Sequence, residues 1–211
     1  MNKDELYSIA REAVREEELT SVEIPNIDLY VDQIINLVAD KNSQSADRYQ
    51  GKQLTKTMIN NYSKDGLITP VKGKKYNKEQ IIQMLSIYTL KNTLSIGEIK
   101  RLLDGEYAID GYDGADLAKT YDRYIDVKRQ NREYSVDILA HLMEQNGFDI
   151  ENDRDFILVV GSLLSLGNSL KNIAQELIDV RYPQIEEEPE KAEKPKKEKK
   201  KKKSAEDDKG E

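Results

Sequence analysis

The sequence predicts a mainly α fold with one small β element, and three observations carry that expectation. Apolar residues recur at three- and four-residue spacing through most of residues 3–180, the period of a helix face. The exception is residues 65–76, where Asp65-Gly66 precedes an apolar pair and then a run rich in Lys, Pro and Gly, a turn-and-hairpin pattern. From about residue 186 the chain is mostly Glu, Lys and Pro, with no aromatic and no β-branched residue. Such a segment cannot bury enough apolar surface to offset its ordering entropy and is expected to be a disordered charged tail, residues 184–211.

The elements follow in order. Residues 3–20 read as a helix capped by Asn2, with Glu5 in the capping-box position and Leu6, Ile9, Ala10, Ala13 and Val14 on one face. After Pro25, Asp28 is the expected cap of a second helix with Val31, Ile34, Ile35 and Val38 as its stripe. Residues 41–53 are polar and aperiodic, hence a loop. A short helix at about 55–64 has Thr55 as N-cap and Met58, Ile59 and Tyr62 inward, and Asp65-Gly66 ends it, with Gly66 free to turn left-handed. Leu67 and Ile68 read as a short strand, and Thr69 to Tyr76 as a basic hairpin. Asn77, with Gln80 as box partner, caps a helix at about 78–92 built on Ile81, Ile82, Leu85 and Tyr88. Ser95, with Glu98, caps the next, with Ile99, Leu102 and Leu103 inward. Residues 104–114 read as a turn-rich acidic connection. Residues 115–146 are one long helix or two, ending at Gly147. Asn152 or Asp153 caps a last, most apolar helix running to about residue 180.

The 211 residues contain no cysteine and one histidine, which excludes disulfides, thiolate metal sites and cysteine nucleophiles. No Walker loop, dinucleotide glycine fingerprint or serine-nucleophile elbow is present. No cofactor, no metal site and no catalytic residue are therefore expected. His141 falls on an apolar helix face, where a core or interface role is the simpler reading. Asp149, Glu151, Asp153 and Asp155 alternate like a calcium loop, but Arg154 and Val160 occupy the positions that need Gly and Glu. Residues 1–5 are not a signal peptide, and no run approaches 18 consecutive apolar residues, so a cytoplasmic protein without a membrane span is expected.

The net charge of −7 is unevenly distributed. Residues 50–103 hold ten Lys/Arg against three Asp/Glu, a net of +7, while residues 1–49 carry −6 and residues 104–185 carry −8. One basic segment inside an acidic chain attracts polyanions locally. Its order of elements, short helix, turn, strand, basic hairpin, capped helix, is that of a winged helix-turn-helix. A helix of about ten residues can enter a major groove, and Asn can bond bidentately to an adenine edge. The candidate DNA-binding residues are Lys52, Thr55, Lys56, Asn60, Asn61 and Lys64 on or beside that helix, and Lys72, Lys74, Lys75 and Tyr76 in the hairpin. The lysines position the protein on phosphates without reading sequence.

Residues 58–70, Met-Ile-Asn-Asn-Tyr-Ser-Lys-Asp-Gly-Leu-Ile-Thr-Pro, resemble the stretch of the MerR family written TLRYYE-x-x-GLL-x-P. Tyr76 to Ile81 resembles the segment after that family's wing, and Leu94 to Leu103 resembles its FSLEEIK-x-LL. The wider run from Ile24-Pro25-Asn26-Ile27-Asp28 to Leu103 resembles a bacterial family catalogued as a domain of unknown function, number 1836. The MerR likeness implies duplex-DNA binding, transcription regulation and a homodimer formed through a C-terminal helix. Asn60 stands where the family pattern has its recognition-helix Arg, Asn61 at the first Tyr, and Lys74 at the wing Arg, which keeps the charge without the bidentate geometry.

The expected organisation is an N-terminal helical arm at 1–23, a MerR-like winged helix-turn-helix domain at 24–104, a helical C-terminal region at 105–183 and the tail. The helix at 154–180 is either a core helix or a stripe for a second subunit, the small residues Gly161, Ser162, Ser165, Gly167 and Ser169 permitting close approach. No residue there identifies a small-molecule effector. The alternative function is a non-catalytic protein–protein interaction module on the same fold.

Overall fold

The computed structural model describes residues 1–184 except 52 and 72. The expected tail, from residue 185 on, lies outside the described residues. Eight helices and a two-stranded sheet appear among them: α1 (Lys3–Ala13), β1 (Leu29–Tyr30), α2 (Val31–Asn42), α3 (Asp47–Gln50), α4 (Lys56–Lys64), β2 (Lys75–Tyr76), α5 (Lys78–Leu90), α6 (Ile96–Tyr107), α7 (Gly114–Asn146) and α8 (Asp153–Arg181). The fold is thus mainly helical.

The locally encoded helix starts form as the sequence implies. Asn2 and Glu5, Asn77 and Gln80, and Ser95 and Glu98 make reciprocal capping boxes. Thr55 caps α4 by accepting from the Met58 amide at 3.2 Å. Gly66 and Gly147 end α4 and α7 at φ 67° and 63°, where a side chain would be strained.

Five expectations are corrected. The first helix stops at Ala13, because nonlocal partners draw the following backbone out of it. The Glu17 amide donates to Ser45 Oγ, and the Arg15 carbonyl accepts from the Ala46 amide. Glu16 and Glu18 meet Lys128 at 2.6 and 3.0 Å, and Glu18 also meets Arg132. Asp28 is not a cap, since the chain runs through β1 and Tyr30 caps α2. The loop at 41–53 contains the short α3 and a buried Ser45-Ala46 pair. Leu67 and Ile68 form no strand; both are buried in the core instead. The described residues 69–71 form no strand to pair with β2, which instead pairs antiparallel with β1, Leu29 opposite Tyr76 and Tyr30 opposite Lys75. In addition, α6 runs on to Tyr107, and 114–146 is a single helix.

The main core gathers Leu19, Ile24, Leu29, Ile34, Val38, Leu54, Ile59, Tyr62 and the apolar residues of α5 and α6, and continues through Leu117, Tyr121 and Ile125 of α7. The expected boundary at 104 falls within α6, inside this core. A second, smaller cluster joins Leu6, Leu139, Met143, Ile150 and Val159. α7, ~50 Å long at 1.5 Å per residue, is the beam that links the two. The expected N-terminal arm is anchored to it at both ends: Leu6 packs in the smaller cluster, and Asp122 accepts from the Ser21 amide and hydroxyl at 2.7 and 2.6 Å. His141 is exposed, not core.

α8 returns along the molecule to α6. Arg101 donates to the Tyr182 carbonyl at 2.7 Å and to Asp179 Oδ1 at 2.6 Å, and Gln175 donates to Glu98. Between its ends only Val159 and Ile178 are buried, so the core-helix reading of 154–180 is corrected. By length and composition alone, α8 is long and apolar enough to cross a membrane, although no run of 18 apolar residues occurs in it.

Glu23 offers a test of the packing around α2. Its carboxylate accepts from Lys41 at 2.7 Å and from the Thr20 amide and hydroxyl, each at 2.8 Å. The Lys41 hydrogen bond is the main cause that holds it at about 2, below the ordinary 4.5. A depressed carboxylate stabilises the fold above its ordinary pKa, and that contribution is lost as pH falls from 4.5 towards 2. Lys41→Met is expected to lower the melting temperature slightly at neutral pH, with the gap to the parent protein closing below pH 4.5, read by circular-dichroism melts.

Candidate nucleic-acid interface

The candidate surface starts with the spacing of α4. Ile59 and Tyr62 turn into the core, and this leaves Lys56, Asn60 and Lys64, four residues apart, in one exposed row. Asn61 is exposed on the neighbouring stripe. Thr55 is exposed, but its hydroxyl is committed to the cap. α2 packs against α4, with α3 within the connection between them.

The segment after α4 is held by two side chains that the sequence pattern assigned no such role. Gln80 and Gln83 lie in the run Gln-Ile-Ile-Gln-Met-Leu of α5 and are buried. Gln83 Oε1 accepts from the Thr69 amide at 3.0 Å and from its hydroxyl at 3.3 Å. Gln80 Nε2 donates to the carbonyls of Thr69 and Pro70 at 3.1 and 3.2 Å, while its Oε1 accepts from the Asn77 amide. These bonds replace the ladder a hairpin would have supplied. Gly73, at φ 85°, makes the return turn towards β2.

Beyond that turn, Lys74 and Lys75 are exposed. The Lys75 ammonium lies 4.9 Å from the centre of the Tyr30 ring, a cation–π contact across the two-stranded sheet. Tyr76 is half-buried against the core, and Tyr62 is buried, its phenol pushed up to about 12 by burial. Both pack against the core. Lys52 and Lys72 lie outside the described residues.

An open groove of about 730 Å³ runs between α4, residues 66–71 with Gly73, and α6, bordered by Asn60, Lys64, Tyr76, Lys100 and Asp104. Exposed Lys100 is an addition to the candidate set: it reaches this surface through the packing of α6 behind the loop. Among the described residues no group of three His, Asp or Glu is placed to hold a metal ion. The surface offers cations and amides on a fixed scaffold, a chemistry suited to binding a polyanion.

Gln83→Leu is expected to cost about 1–2 kcal/mol of stability, since Thr69 loses its acceptor. It is also expected to raise amide exchange at 67–71 more than in α5, read by hydrogen–deuterium exchange. Unchanged exchange there would show that Gln83 does not hold the loop.

No curated protein and no solved structure matches the chain. Residues 19–124, from the extended segment before the short Ser21–Glu23 turn through the first third of α7, match the model of a family described as a domain of unknown function, and the chain belongs to that family, DUF1836.

Proposed function

We propose that the protein binds duplex DNA as a MerR-like winged helix-turn-helix and regulates transcription, without catalysis, in the bacterial cytoplasm. The observation that carries this reading is the exposed Lys56–Asn60–Lys64 row of α4, of which Asn60 and Lys64 border one groove with Lys100, in a segment of net +7 that also exposes Lys74 and Lys75 within an otherwise acidic chain. In this reading α4 enters the major groove, Asn60 and Asn61 meet base edges, and the lysines of α4 and of the 73–76 turn neutralise flanking phosphates. The Gln80 and Gln83 hydrogen bonds support it, because a loop that must follow a backbone at fixed distance from a recognition helix needs a rigid seat. The strand pairing β1–β2 serves as the short sheet of the wing.

The reading includes a homodimer. Val159, Leu163, Leu166, Leu170, Ile173, Leu177 and Val180 alternate at four- and three-residue spacing, a heptad seam ~32 Å long. Most of it is open: Ile173 is 58% and Leu177 64% exposed. A second α8 would cover this seam and set two DNA-binding units at a fixed separation, matched to a two-fold symmetric site.

Two experiments test the reading. Purified protein is incubated with fragmented genomic DNA across a salt series, beside Lys64→Ala and Asn60→Ala variants. The expected result is a shared motif among bound fragments. Lys64→Ala should weaken every site and reduce the salt slope by about 1, while Asn60→Ala should relax one base position. No enrichment, with capture of protein partners instead, would favour the interaction-module reading. Sedimentation should show a dimer that the double variant Leu170→Glu, Leu177→Glu converts to a monomer. A monomeric parent protein that floats with lipid vesicles would instead assign α8 to a membrane.

A further inference from the structure

We infer that an open cavity between α5, α6 and α7, bordered by Tyr182 at the end of α8, binds a small organic monocation. Its volume is about 320 Å³, the size of a small-ligand site. Leu90 and Leu102 give it apolar walls, Tyr121, Tyr124 and Tyr182 border it with aromatic rings, and Glu106 adds one carboxylate.

The ligand class follows from these residues. Glu106 is the only charged residue in the wall. Its Oε1 accepts from the Tyr112 hydroxyl, and no lysine or arginine pairs with it among the described residues; nearby Arg101 is engaged by Asp179. A neutral apolar ligand would desolvate this carboxylate with no counter-charge, which is costly, and an anion would be repelled by it. An ammonium group would neutralise it and gain cation–π attraction from the tyrosine rings. The leucines favour a hydrocarbon body over a hydrated metal ion. The volume accommodates a ligand of about ten heavy atoms.

The position of Tyr182 is built into α6. Arg101 holds its backbone carbonyl, and a Cβ at Gly105 would overlap its ring. A glycine inside a helix is less favourable than alanine, and here the missing side chain makes the room for that ring. The seat of Tyr182 therefore connects the cavity to the end of α8.

The test uses the full chain, without DNA, so its result is independent of the DNA-binding reading. Phenethylammonium, the isosteric neutral 2-phenylethanol and phenylacetate are titrated while amide shifts are followed. The expected result is saturable binding of the ammonium, with shifts at α5, α6, the first half of α7 and Tyr182. The alcohol should bind about tenfold more weakly and phenylacetate not at all. Glu106→Gln should weaken the ammonium about tenfold, and Gly105→Ala should weaken it with helicity retained. Equal binding of ammonium and alcohol, indifference to Glu106→Gln, or no saturable shift would overturn the proposal. So would shifts at the same residues on dilution alone, which would give the cavity to a second copy of the chain.

Discussion

The hydrogen bonds from Gln80 and Gln83 to the Thr69–Pro70 backbone join the core to the candidate interface. α5 is buried on nearly every side, with Gln80 to Leu85 and Ile87 all inside. A helix so placed has no solvent face on which to put a polar side chain, and a buried amide without partners is costly. The two glutamines meet that cost by taking the place of strand partners for the loop that follows α4. The loop thereby acquires the rigidity of the core, and Gly73 can return the chain to pair with β1 in only two residues.

α7 extends the same logic. Its first half completes the main core through Leu117, Tyr121 and Ile125, and its second half forms a smaller core with α1 and the start of α8. Lys128 and Arg132 sit between these patches and bind Glu16 and Glu18, which keeps the chain after α1 extended along the helix. Burial pulls the Lys128 ammonium towards neutrality, but the two carboxylates outweigh it and raise its pKa. Acidic groups are thus consumed in holding the frame, while the lysines of α4 and the 73–76 turn remain at the surface.

What was legible in the sequence was what is decided within a few residues. Three capping boxes, the Thr55 cap, the Gly66 stop and the inward side of α4 at Ile59 and Tyr62 follow from local spacing, and all stand in the structure. What escaped is decided by distant partners. The end of α1 depends on Ser45 and Lys128, and the two-residue β1 depends on Tyr76, too short a strand to leave a period-two pattern. Leu67-Ile68, apolar between turn signals, has the look of a strand, but packing uses it as core filling. Gln83, and the hold of Gln80 on Thr69 and Pro70 beyond its capping role, escaped because pattern alone does not give a polar residue in an apolar helix a distant partner. Periodicity found α8, yet spacing within one helix cannot say that its stripe stays open.

The proposed function requires that α4 and the 73–76 turn contact DNA together. The most direct measurement is an amide-shift titration of the labelled protein with a duplex selected from its own genomic DNA. The expected result is saturable changes concentrated at residues 55–64 and 73–76 and at Lys100, with α1 and the second half of α7 unmoved. Changes centred on α7 or α8 with α4 silent, or no saturable change with any duplex, would contradict it.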